Sequence, residues 1–166
     1  MPLIKLFLDI CFFKKGPRDV PASSLLLGLA VLAYLIVGVV LLGLERDWSG
    51  AVVEAVVEAL MLFGFLYMAL YLSQGIPRLQ QTATALYACD ALISTAAVPL
   101  LAWLLVTPEA KGVYIFLTLL MLWHLAVIGH ILRHALAISF FFGLGLAFGY
   151  VVVSYQVMMI LFGRTM

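Results

Sequence analysis

The sequence predicts an all-α fold: a polytopic bundle of five transmembrane helices, preceded by a short N-terminal interfacial helix. Three observations lead to it. Of the 166 residues, 66% are hydrophobic and 10% are charged, where soluble domains carry about a quarter charged residues. The apolar residues gather in five long runs, each able to cross about 30 Å of hydrocarbon as a helix. The intervening segments are short and hold most of the Lys, Arg, Gly and Pro, the punctuation of turns. A soluble fold of this length could not bury so much apolar surface. In a bilayer the constraint reverses, because lipid accepts those side chains and the backbone must satisfy itself within helices.

Two regions follow in order: a cytoplasmic, interfacial segment over 1–22 and a transmembrane domain over 23–163. In the first, Leu3, Ile4, Leu6, Phe7, Ile10, Cys11 and Phe13 flank Lys5, Asp9, Lys14 and Lys15. That mixture predicts a short helix lying at the interface, with its lysines among headgroups. Gly16, Pro17 and Pro21 end it. The basic cluster Lys14, Lys15 and Arg18 follows the first apolar run instead of preceding it, the reverse of a secretory signal.

The first span is 24–44, uncharged throughout. A polar turn over 45–50 carries Trp48, a residue suited to the interfacial belt. The second span, 51–72, holds Glu54 and Glu58, and a loop over 73–82 contains Gly75, Pro77 and Arg78. The third, 83–106, includes Asp90 and has Pro99 as an expected kink. A turn over 107–112 leads to the fourth span, 113–132, and the fifth is 139–162.

Orientation rests on Lys and Arg. With a cytoplasmic N-terminus, that side holds Lys5, Lys14, Lys15, Arg18, Arg78 and Arg133, against Arg46, Lys111 and Arg164 opposite. The positive-inside rule then favours N-terminus in and C-terminus out. The chain contains no Asn and so no Asn-linked glycosylation acceptor, which is compatible with a bacterial inner membrane. A formal net charge of +1 argues against nucleic acid, since phosphate binding needs a basic face. The expected partners are the lipid bilayer and either a second copy or another membrane protein.

Ionisable residues at membrane depth cost energy and each needs a reason. Glu54 and Glu58, four apart, share a helix face. At about 1.5 Å per residue, Glu58 falls about 10 Å below the outer surface, Asp90 about 10 Å above the cytoplasmic one, and His124 near the midplane. His130 and His134 lie near the cytoplasmic end of the fourth span. Two readings compete for Glu54, Glu58, Asp90, His124 and His130. One is a proton or ion pathway. The other is interhelical hydrogen bonding and capping, with Glu54 simply facing water.

Other chemistries find less support. Haem ligation between spans needs facing histidines at similar depth, and all three histidines lie on or beside one span. Glu54 and Glu58 with a histidine match no His-Glu-x-x-His pattern. Cys11 and Cys89 have neither metal nor redox spacing, so no cofactor is expected. No Gly-x-Ser-x-Gly elbow accompanies the hydroxyls, which leaves a membrane enzyme as the third choice of function. In the fifth span Gly145 and Gly149, and Gly143 and Ala147, form two small-residue pairs. Such pairs let helices approach closely, here within the bundle, or against a second copy or partner.

The stretch over 74–88, with Gln74, Gly75, Pro77, Gln80, Gln81, Thr82, Ala83, Thr84, Ala85 and Tyr87, resembles the loop and following span of the Yip family. Leu122, Trp123 and His124 ahead of a basic loop also resemble that family's fourth span. Pro99 comes later than the pattern places it, and Asp90 departs from it. The resemblance implies five spans with a cytoplasmic N-terminus. In eukaryotic relatives it implies an adaptor of vesicle traffic that contacts small GTPases. With about twenty residues before the first span, a bacterial-type relative fits better, and no site residue carries over. The expected function is therefore a non-enzymatic membrane-organising, assembly or accessory subunit. The alternative is a small proton-coupled transporter or channel component using the intramembrane carboxylates and histidine.

Overall fold

The computed structural model describes residues 3–44 and 47–163. It is an all-α bundle, as the composition predicts. Its helices are α1 (Leu3–Cys11), α2 (Ser24–Gly43), α3 (Trp48–Leu72), α4 (Leu79–Val106), α5 (Lys111–Leu136) and α6 (Phe140–Phe162). Single turns of 3₁₀ helix over Pro17–Asp19 and Ile76–Arg78 precede α2 and α4. Helices α2 to α6 are each long and apolar enough to cross a bilayer. Large apolar residues such as Leu25, Ile36, Phe116, Phe141 and Ile160 cover their outer surface. The chain is an integral membrane protein.

Local chemistry sets the helix ends. Ser23 starts α2 by accepting from the Leu26 N–H, and Ser139 starts α6 by accepting from Phe142. Asp47 caps α3 through the Gly50 N–H at 2.8 Å. Each cap satisfies an N–H that the first helical turn leaves without a partner. Helix α5 stops where Ala137 turns left-handed, at φ 57°, and α4 continues as a helix through Pro99. The short connections make successive long helices antiparallel. One end of the bundle, the near end, carries residues 16–23, 73–78 and 137–139. The far end carries 47, 107–110 and 163.

Helix α4 is the centre. Residues 82–89 are buried without interruption, which a helix achieves only when protein surrounds it. Ala83, Ala85 and Ala88 keep its surface thin there. Thr82 and Thr84 return their hydroxyls to the carbonyls of Arg78 and Gln80, at 2.8 and 2.7 Å, so neither brings an unpaired polar group into the core.

Helix α1 lies in a groove of the bundle. Its buried face, Leu6, Phe7, Ile10 and Cys11, packs on α4 and α5. The Cys11 carbonyl accepts from Trp123 Nε1 at 3.1 Å, and Trp123 sits midway along α5. Phe13, at φ 62°, reverses the chain. The Lys15 carbonyl then meets His130 Nε2 at 2.9 Å, and Gly16 lies against the His134 ring. Residues 11–16 thus climb α5 from its middle to its near end. Gln81 Nε2 closes the segment by donating to the Val20 carbonyl at 2.8 Å. Helices α4 and α5 offer this segment both packing and two side-chain donors.

Helices α5 and α6 cross with backbone in contact. A Cβ added to Gly143 would stand 2.6 Å from the Gly129 carbonyl oxygen, and one on Gly129 3.0 Å from Leu144 Cα. Ala147, fully buried, continues this face. Gly145 and Gly149 point elsewhere, and a Cβ on either meets nothing within 4 Å.

Two outcomes follow from this packing. Gly143→Ala should destabilise the bundle by about 1–3 kcal/mol, the usual cost of overpacking, while Gly145→Ala should stay within about 0.5 kcal/mol. Unfolding in mixed detergent–SDS micelles, followed by circular dichroism, compares them. Trp123→Phe removes the indole donor to Cys11 and should speed proteolysis within 1–22 while sparing the long helices, read by mass spectrometry of limited digests.

Candidate functional site

Three ionisable side chains from three helices meet inside the bundle. Asp90 comes from α4, just past its fully buried stretch, His124 from the middle of α5, and Glu58 from α3. His124 Nε2 lies 3.2 Å from Asp90 Oδ2. It is buried and, at this ion-pair distance, makes no aligned hydrogen bond. The other carboxylate oxygen, Asp90 Oδ1, accepts from Ser94 Oγ at 2.9 Å, one turn along α4.

Two cavities flank the cluster. One, of about 300 Å³, lies towards α5 and α6 and is lined by Tyr34, Glu58, Asp90, His124, Tyr150 and Ser154 among others. The second, of about 200 Å³, extends along α2 past Gly38 to Leu41 and Leu42, close to the far end, and takes in Ser94. Tyr34, Glu58, Asp90 and His124 line both. The polar groups therefore form a partition between the two spaces.

Aromatic residues hold this arrangement. Tyr87 Oη on α4 donates to the Ala59 carbonyl on α3 at 2.7 Å, fixing α4 against α3 one residue from Glu58. The Tyr34 ring meets Tyr87 edge-on, with centroids 5.1 Å apart, and Tyr150 packs on Phe65 at 4.8 Å. The two helices that carry the carboxylates, α3 and α4, are thus tied together beside the site itself, with α2 and α6 packed on them.

A carboxylate beside an imidazole suits proton exchange, since each can hold or release one proton. A charged side chain alone at the centre of a membrane helix costs about 2.5–3.5 kcal/mol on insertion scales. Pairing Asp90 with His124 and Ser94 offsets part of that, and the cavities give Glu58 an opening to face. Among the described residues no three His, Cys, Asp or Glu side chains are grouped to hold a metal ion.

The residues singled out by sequence are distributed unevenly. Glu58, Asp90 and His124 come together. Glu54, one turn further along α3, is only 8% exposed, so it does not face water as expected. His130 lies apart from the cluster: besides Lys15, it meets the Phe13 ring edge-on at 5.0 Å and anchors the N-terminal segment. Gly143 and Ala147 face α5, whereas Gly145 and Gly149 line an open groove of about 470 Å³ with Gly64 of α3. Tyr34, Tyr87, Ser94 and Tyr150 were not anticipated at the site. Tyr34 had a signal, as the one polar side chain within α2 after Ser24.

Comparison with protein-family models, with curated proteins and with solved structures finds no match to this chain.

Proposed function

We propose that this protein is a small proton-coupled transporter or channel component, in which Asp90, His124 and Glu58 form the proton-binding centre. The observation that carries this reading is the convergence of the three groups, from three helices, on two cavities that share them as a wall. A group of this kind meets the description of an intramembrane proton relay: ionisable, interior-facing, paired, and beside space for water. The cavity along α2 provides the approach from the far end. His124 passes a proton to or from Asp90, and Glu58 takes part from the same partition.

The proposed setting is a bacterial inner membrane with the near end in the cytoplasm. Lys14, Lys15, Arg18, Arg78 and Arg133 gather at that end and support the orientation, while Arg46 and Arg164 lie outside the described residues. A second reading, a Yip-like membrane-organising or accessory subunit, draws support from the groove between α3 and α6, where Gly64, Gly145 and Gly149 leave room for another helix.

Purified protein in vesicles loaded with a pH-sensitive dye separates the two. An imposed pH gradient should collapse at least about tenfold faster than in empty vesicles, a difference of about 1.4 kcal/mol in barrier. Asp90→Asn and Glu58→Gln should return it to the background rate with helicity and oligomeric state unchanged. Gradient decay at the background rate from well-folded wild-type protein would remove the transporter reading. Loss of a copurifying partner on Gly149→Leu would then favour the second.

A further inference from the structure

The cavity of about 300 Å³ beside Asp90 and His124 is unevenly charged. Glu58 and Asp90 line it, and His124 is its one basic side chain; no Lys or Arg lines this cavity or the one along α2. His124 and Ser94 both serve Asp90. Glu58 has no such support, and among the described residues its carboxylate accepts no hydrogen bond. Tyr34 is in the same position. It is 7% exposed and lines both cavities, and among the described residues its hydroxyl has no hydrogen-bond partner. A buried polar group left unsatisfied costs about 1–3 kcal/mol. The cavity these two groups share therefore suits a guest that brings N–H donors and a positive charge.

The rest of the lining describes the body of that guest. Leu62, Leu86, Leu125 and Ile128 make the walls apolar. The rings of Tyr34, Tyr150 and Phe148 also line the space, and aromatic rings attract cations through their faces. Met121 and Leu122 of α5 and Phe148 of α6 line it as well, yet each is more than half exposed on the outer surface. The cavity thus opens sideways to lipid between α5 and α6, and an amphiphilic guest reaches it from the bilayer.

We infer that this cavity binds a lipophilic primary amine in its ammonium form. Glu58 pairs with the charge, Tyr34 accepts an N–H, and the apolar walls hold the hydrocarbon body. The inference names a substrate for the proposed site; it rests on the transporter reading for transport, and on the cavity alone for binding. Glu58 holds either a proton or the ammonium, so the site exchanges one for the other. Around it stand Tyr34 of α2, Asp90 of α4, His124 of α5 and Tyr150 of α6, with Glu54 one turn away on its own helix.

Equilibrium binding of tritiated phenylbutylamine to the purified protein in detergent tests this without any gradient or flux. Binding should saturate, and it should weaken by about tenfold in Glu58→Gln and about threefold in Tyr34→Phe, with helicity unchanged. It should also weaken as pH falls below neutral, because protons compete for Glu58 while the amine stays charged. On the wild-type protein, phenylbutanol and phenylbutyrate, which carry the same body without the positive charge, should not displace the label. No saturable binding to folded wild-type protein would overturn the inference, as would displacement by phenylbutanol as readily as by unlabelled amine. Undiminished binding to folded Glu58→Gln would do the same. Glu58-dependent binding alongside a pH gradient that decays at the background rate would uphold the amine site and remove the transporter reading alone. A collapsing gradient without amine binding would do the reverse.

Discussion

A hydrocarbon slab supplies no hydrogen-bond partners, so each polar group that enters it must find its partner within the protein. That constraint fixes α4 at the centre of this bundle. Its hydroxyls turn back onto its own backbone, and its tyrosine reaches the carbonyl of a neighbouring helix. Its aspartate takes one partner from its own next turn and another from α5. The remaining elements are arranged to complete those contacts. Alanines at 83, 85 and 88 then allow the surrounding helices to close in around it.

Close approach is used sparingly. Where α5 and α6 cross at Gly129 and Gly143, backbone meets backbone, and two helices held so firmly form a rigid wall. Across the bundle, α3 and α6 stand apart enough to leave the glycine-lined groove. The ionisable cluster lies between these regimes, bounded by packed aromatic rings and by empty space. A site that handles protons needs both properties: donors held at fixed distances, and room for a mobile carrier of charge.

Much of this was legible in the sequence because lipid imposes a simple rule on composition. Long apolar runs and short polar turns are sufficient to specify five helices and their order. The same rule marked Glu58, Asp90 and His124, since residues that lipid penalises must turn inward. The groove that seats α1 was not legible, because an amphipathic segment looks the same whether its apolar face meets headgroups or a groove, and the indole of Trp123 and imidazole of His130 that receive it come more than a hundred residues later. Of the four small residues in α6, only the position of α5 decides that Gly143 and Ala147 are buried and Gly145 and Gly149 are open.

The seat of α1 also has a consequence for biosynthesis. The segment over 3–16 is held by Trp123 and His130, which are synthesised more than a hundred residues after it. Until the helix bearing them has been inserted, that segment has a slot on one side only, against α4. The docking of α1 therefore waits for α5. A chain halted before α5 would hold α2 to α4 in the bilayer with α1 still unanchored.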